Sequence, residues 1–176
     1  MVLTNTKLQN KKTTVLYNPE WHKGVIGIVA SRLIEKHFYR PTIIFTKSNG
    51  SVTGSARSVK NFNLYQAISS CSHLLEQFGG HKYAAGITLK EENLPAFIDL
   101  FEEVVSKKIT DSQLNPEIDI DCTLPFYAIS PKFNLVLKQF APFGPGNMTP
   151  VFMTENVIII RPPQIVGNGH LRLSLA

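Results

Sequence analysis

Three short clusters in this 176-residue chain carry side chains suited to phosphate chemistry. The first is Gly-Ser-Ala-Arg-Ser, Gly54 to Ser58. Arg57 offers a planar fork of donors that matches a terminal phosphate, and the hydroxyls of Ser55 and Ser58 add hydrogen bonds. The same five residues also read as a serine-rich strand end with a surface arginine. The second cluster is FGGHKYAAG, Phe78 to Gly86. Gly79 and Gly80 let the chain turn sharply and approach a ligand closely. They place His81 on a loop between a helix and a strand, where it can bond a phosphate or protonate a leaving oxygen. Gly-Gly is equally a plain helix stop, with His81 a polar loop residue, although Ala84 and Ala85 leave room where large strand formers are expected. The third is Trp21-His22-x-Gly24, directly ahead of a helix. There His22 can approach a phosphate near the helix N-terminus, and Trp21 can stack on a base. Trp21 reads more simply as the anchor of that helix in the core.

A fourth motif, PFGPGN from Pro142 to Asn147, has the Gly and Pro spacing of a rigid turn and reads as a structural junction. Equally informative is what the basic half lacks. No aspartate precedes Asp99, and two-metal phosphoryl chemistry needs several carboxylates and imidazoles converging on its ions. A catalytic metal is therefore expected outside this chain. Cys71 and Cys122, far apart in apolar-periodic segments, read as buried free thiols.

Charge is divided unevenly. Residues 1–90 hold twelve Lys and Arg against three Glu, giving +9, whereas residues 91–176 hold six against ten acids, giving −4. Concentrated positive charge suits a polyanion, because each cation near a phosphate releases condensed counterions. A solvated basic face with no partner would have the same composition. No apolar run nears the about 20 residues of a membrane span. The polar start, MVLTNTKLQNKK, has no signal core, so the expected location is the cytoplasm.

Strands alternating with helices must position these clusters. Residues 13–17 and 42–45 are β-prone, and Asn49-Gly50 signals a hairpin that returns through 51–56. Gly24 to Phe38 has the spacing of an amphipathic helix with Val25, Ile28, Val29, Leu33 and Ile34 on its apolar face. Asn63 can cap a helix running to about Phe78 and ended by Gly79-Gly80. A strand at 83–89 and a helix from Glu91 to Ile109 complete an α/β arrangement, a mixed sheet flanked by helices. TDSQLNP, 110–116, has the composition of a linker. Beyond it the spacing predicts strands at 117–123, around 151–160 and at 170–175, and a helix near 131–140.

In order, WHKGVIGIVASRLIEKHFYRP, GSARS, FNLY, LLEQFGGH, AAGITL and PFGPGN resemble the RecJ family of single-strand-specific exonucleases within the DHH phosphoesterases, over nearly the whole chain. The resemblance implies a DHH-associated substrate-binding domain at 1–110 and the truncated start of an oligonucleotide-binding β-barrel domain at 115–176. It implies that Ser55 and Arg57 bind a 5′ phosphate, that Gly79, Gly80 and His81 face the metal centre, and that Mn²⁺ or Mg²⁺ sits in an absent N-terminal DHH domain acting in cis. The implied activity is 5′-to-3′ hydrolysis of single-stranded DNA in repair and recombination, with a helicase or single-strand-binding protein as partner, and this chain alone inactive. A relative acting on short oligoribonucleotides or cyclic dinucleotides shares the same two motifs. A tRNA-binding appendage, as in alanyl-tRNA synthetases, shares only the glycine-histidine part.

Overall fold

The computed structural model describes residues 10–176, and the chain divides into two compact units that meet at Pro116/Glu117. The first is built on one five-stranded sheet. Its strands are β1 (Thr14–Tyr17), β2 (Thr42–Ser48), β3 (Ser51–Arg57), β4 (Gln77–His81) and β5 (Ala84–Leu89), in the order β1-β2-β3-β5-β4. Only β1 and β2 are parallel, joined through helix α1 (Ile26–Lys36). The β2–β3 hairpin turns at Asn49-Gly50, both at positive φ (51° and 83°), as that dipeptide allows.

Burial along the strands shows which faces are covered. β2 is buried at Thr42 through Thr46, so both of its faces are occupied, while β3 alternates between buried and half-buried. One face carries Ile43, Phe45, Val52, Ala56, Ala85 and Ile87 and packs under α2 (Leu64–Ser69) and α3 (Leu94–Lys108). Phe97 of α3 meets Phe45 edge-on at 5.7 Å and stacks on Phe101. Gly54 exists for that ring: a Cβ there would lie 2.4 Å from Phe45 Cε1. At the other face Ile26 and Ala30 of α1 pack on Ile44. The side chain of Asn63 caps α2 by accepting from Gln66 N–H at 3.1 Å. Glu102 of α3 accepts the backbone N–H groups of Lys12 and Thr13, tying the entry of β1 to the helix.

Several sequence expectations change. The buried stripe of α1 is Ile26, Ala30 and Ile34, while Ile28 is 64% exposed and Val29 is also outside. With apolar residues at four of five positions from Val25 to Val29, spacing alone does not choose the face. Small residues do, by letting the helix approach the sheet. Trp21 is 38% exposed and does not anchor a core. The helix expected to run to Phe78 stops at Ser69, and a single 3-10 turn (Ser72–Leu74) leads into β4. Gly79, Gly80 and His81 therefore lie on an edge strand and not on a loop after a helix.

The second unit holds β6 (Cys122–Thr123) paired in parallel with β7 (Phe152–Met153), helix α4 (Pro131–Lys138), and the antiparallel pair β8 (Ile159–Val166) and β9 (His170–Leu175). Ser130 caps α4 by accepting from Phe133 N–H at 3.1 Å. At the PFGPGN motif Gly144 and Asn147 exchange backbone hydrogen bonds of 2.8 and 2.9 Å. The Asn147 amide donates to the carbonyls of Phe140 and Pro142. That motif is thus an internally bonded turn. Cys122 is exposed, contrary to the expectation of two buried thiols, because β6 is only two residues long and nothing covers its outer side among the described residues. No helix of the described residues is long and apolar enough to cross a membrane.

Candidate nucleic-acid interface

Strand pairing brings the two glycine-rich clusters onto one surface. Arg57 pairs with Ala84, and Ala84 with His81; Ser55 pairs with Gly86, and Gly86 with Gly79; Thr53 pairs with Thr88, and Thr88 with Gln77. Paired residues in antiparallel strands present their side chains on the same face, and so do residues two apart. The result is three rows on the face opposite Phe45. One row holds Arg57 and His81 with alanine between them, the middle row is a serine followed by two glycines, and the third is hydroxyl, hydroxyl and amide. Helix α1 covers this face over β2 and the near side of β3 only, so the half over β5 and β4 is open.

Local bonding holds the side chains of the Arg57–His81 row. Arg57 Nη1 donates to Ser55 Oγ (3.0 Å) and to the Ala56 carbonyl (2.8 Å), which fixes the guanidinium along the strand. A Cβ at Gly27, in the first turn of α1, would lie 2.8 Å from Arg57 Nη2 and 2.9 Å from Ser55 Oγ. Helix and guanidinium therefore meet only because residue 27 has no side chain. His81 is exposed, and its Nδ1 accepts the Tyr83 N–H at 3.3 Å. The ring proton then belongs on Nε2, which is left as a donor. Gly80 takes φ +148°, and a Cβ there would sit 2.2 Å from the Ala84 carbonyl oxygen. No side chain is accommodated at that position.

Below the Arg57–His81 row lies a groove of about 460 Å³, whose lining includes Lys23, Thr53, Ser55, Gln77, Gly79 and Thr88. Sequence reasoning missed Lys23, Thr53, Gln77, Thr88 and Gly27. Alternation back from Arg57 could have found Thr53, but the cross-strand partners depend on β4 being a strand. Ser58 is drawn away from the cluster: its hydroxyl donates to the Phe62 carbonyl at 3.0 Å and its N–H to that of Tyr83. His22 stays in the loop before α1, where its Nδ1 accepts Gly24 N–H at 3.1 Å.

Charge is milder than its distribution along the sequence suggests. Residues 91–116 fold into the first unit and bring six acids against two lysines, so that unit carries +5 and the second is neutral. Glu91 takes Lys47 at 2.7 Å and the Tyr17 hydroxyl at 2.8 Å. These bonds, Lys47's first, hold the Glu91 carboxyl below its ordinary value. No group of three or more His, Cys, Asp or Glu among the described residues is arranged to hold a metal ion, so the donor set here does not fit one.

The DHHA1 domain model matches residues 10–107. The chain belongs to the DHHA1 family. A second model, the RecJ OB domain, matches residues 120–176, behind the DHHA1 domain. Among full-length relatives, the single-stranded-DNA-specific exonuclease RecJ of Bacillus subtilis is 34% identical over 158 residues, covering 88% of this chain and 20% of its own length. RecJ of Escherichia coli is 31% identical over 177 residues, covering 95% of this chain and 30% of its own. The crystal structure of Thermus thermophilus RecJ in complex with Mn²⁺ superposes with a TM-score of 0.80 at 32% identity, covering 94% of this chain and 24% of that one. The chain thus spans 20–30% of the length of these RecJ relatives, and its DHHA1 domain carries the three-row surface.

Proposed function

We propose that this chain is the substrate-binding part of a 5′-to-3′ single-stranded-DNA exonuclease, and that its DHHA1 domain captures the 5′ end. Arg57 and Ser55 hold the terminal phosphate, and His81 donates through Nε2 to the scissile phosphate one nucleotide on. The observation that carries this reading is the row Arg57–Ala84–His81. Two strand spacings of about 4.8 Å separate its ends, and the alanine between leaves the path clear. A terminal phosphate monoester has a third non-bridging oxygen and a second charge that an internal phosphodiester lacks, so a site built to hold it favours the strand end and gives polarity. Catalytic Mn²⁺ or Mg²⁺ belongs to a preceding DHH domain, and the chain alone should release no mononucleotides. Gly79 and Gly80 keep the adjacent strand flat, and His22 and the net +5 of the unit guide the strand. The RecJ OB match to the second unit favours this reading over a phosphoesterase of very short RNA or cyclic dinucleotides.

The test compares binding of 5′-phosphorylated and 5′-hydroxyl oligonucleotides. Arg57→Ala should remove the preference for the phosphorylated end, a loss of about 1.5–3 kcal/mol for charge-assisted hydrogen bonds. Lysine at 57 should restore only part, having no planar fork. Equal loss on both ends would return Arg57 to a structural role.

A further inference from the structure

Apart from Ser55, the residues that line the groove below the Arg57–His81 row have no role in capturing the terminal phosphate. Its floor is the middle row, where Gly79 and Gly86 leave main chain bare over two strands. Its far wall is Thr53, Thr88 and Gln77. None of these three side chains makes a hydrogen bond to another described residue, although every neighbouring polar group on the same strands does: Ser55 serves Arg57 and Ser51 donates to Glu76 at 3.1 Å. Lys23 also lines the groove, no described acid pairs with it, and no carboxylate is in the lining.

We infer that this groove is a subsite for the base and sugar of the terminal nucleotide whose 5′ phosphate Arg57 holds. The inference rests on that end-capture reading and deepens it. Four features support it. The volume of about 460 Å³ is at the small end for a ligand site, which suits one nucleoside better than a length of strand. Neighbouring rows are about 6.7 Å apart, and the Arg57 guanidinium leans onto Ser55 of the middle row, so a nucleoside attached to a phosphate held there has one row spacing to cross to the threonines. A floor of glycine main chain offers a flat surface for a base. Hydroxyl and amide groups both donate and accept, so the wall can bond the edge of any base by rotating, as an enzyme that degrades DNA of every sequence requires. A wall of fixed donors or of carboxylates would select among bases. Lys23, which also lines the groove, is available to the sugar-phosphate.

The experiment is an amide NMR titration of this chain at low salt with three thymidine tetranucleotides: 5′-phosphorylated, 5′-phosphorylated with an abasic first residue, and 5′-hydroxyl. The wild-type chain should lose about tenfold in affinity when the first base is removed, the scale of one hydrogen bond of about 1.4 kcal/mol. Shifts should concentrate at Thr53, Gln77, Gly79 and Thr88. A variant with Thr53→Val, Thr88→Val and Gln77→Leu replaces polar atoms by apolar ones on strands that favour such residues, and an unchanged spectrum elsewhere verifies its fold. It should bind the intact and the abasic oligonucleotide alike while still preferring the 5′ phosphate. Equal wild-type affinity for both phosphorylated ligands would overturn the inference and leave end capture standing, as would a variant that keeps its full preference for the base. Indifference to the 5′ phosphate would sink end capture instead. A base preference lost in the triple variant would even then support the groove as a nucleoside site.

Discussion

In residues 10–116 five strands share one sheet, helices pack on both of its faces, and 22 apolar side chains are buried. In residues 117–176 the strands form two separate pairs and no residue is buried. Apolar residues occur in both units: β9 alternates Leu171, Leu173 and Leu175 with polar residues, and β8 has two apolar residues on each side of Arg161-Pro162-Pro163-Gln164. What differs is closure. A strand pair without a third partner or a covering helix is marginal in water, and Ile165 (79% exposed) and Leu171 (63%), cross-strand partners, stay largely in solvent, as does Tyr127 (90%). Stability in this chain should therefore reside in the first unit, whose sheet carries the site's three strands.

Deleting side chains in matched positions tests that contrast most strongly. Phe97→Ala removes a fully buried ring that touches both Phe45 and Phe101, and should cost the first unit about 3–5 kcal/mol. Leu171→Ala in β9 should change stability by no more than about 0.5 kcal/mol. Urea unfolding followed separately at amide signals of each unit checks both, and similar losses would mean that the second unit has a core after all.

A sharper comparison lies within one strand, between two neighbours of the same type. Gly80 has φ +148° and no space for a Cβ, whereas at Gly79 nothing lies within 4 Å of one. Gly80→Val should destabilise by at least the about 1–3 kcal/mol of backbone strain, with the clash against Ala84 added. Because β4 and β5 share the site, it should also weaken binding of the 5′ phosphate. Gly79→Ala should cost less than about 1 kcal/mol. Thermal midpoints of the two variants decide, and equal shifts would remove Gly80 from its special position.

These paired residues also show what was readable in advance. The strands at 14–17, 42–48 and 51–57, the Asn49-Gly50 turn and the Asn63 cap follow from local rules, because each depends on a few adjacent residues. Ser55, Arg57 and His81 were named from residue type, and their assignment to one row was not, because pairing β4 with β5 is a long-range choice that Gly-Gly disguised as a helix end. The buried stripe of α1 was misread for a related reason: helical spacing offered two apolar faces, and the choice between them lies in Gly27 and Ala30 meeting the sheet. The third row of the site, Thr53, Thr88 and Gln77, has no motif at all. Three ordinary polar residues become a wall only when three strands align.

The two cysteines carry the unit contrast to its smallest effect, one that leaves stability at neutral pH untouched. Cys71 is fully buried beneath α2, and burial pushes its thiol from the ordinary value up to about 11, with Lys108 opposing. Cys122 is exposed on β6. The thiolate is the reactive form, so at pH 8 a thiol titrating near 11 is ionised in only about one molecule per thousand. A thiol reagent should therefore label one site per chain rapidly, at Cys122, and reach Cys71 only as the first unit opens. The sign for stability follows from the raised value. The folded state holds the Cys71 proton more tightly than the unfolded chain, so this contribution is complete below the unfolded value near 9 and is lost as pH rises towards 11. Cys71→Ala should flatten that alkaline decline, whereas Cys122→Ala should leave it unchanged. Rapid labelling of both thiols in the native chain would show that the first unit is open where its burial says it is closed.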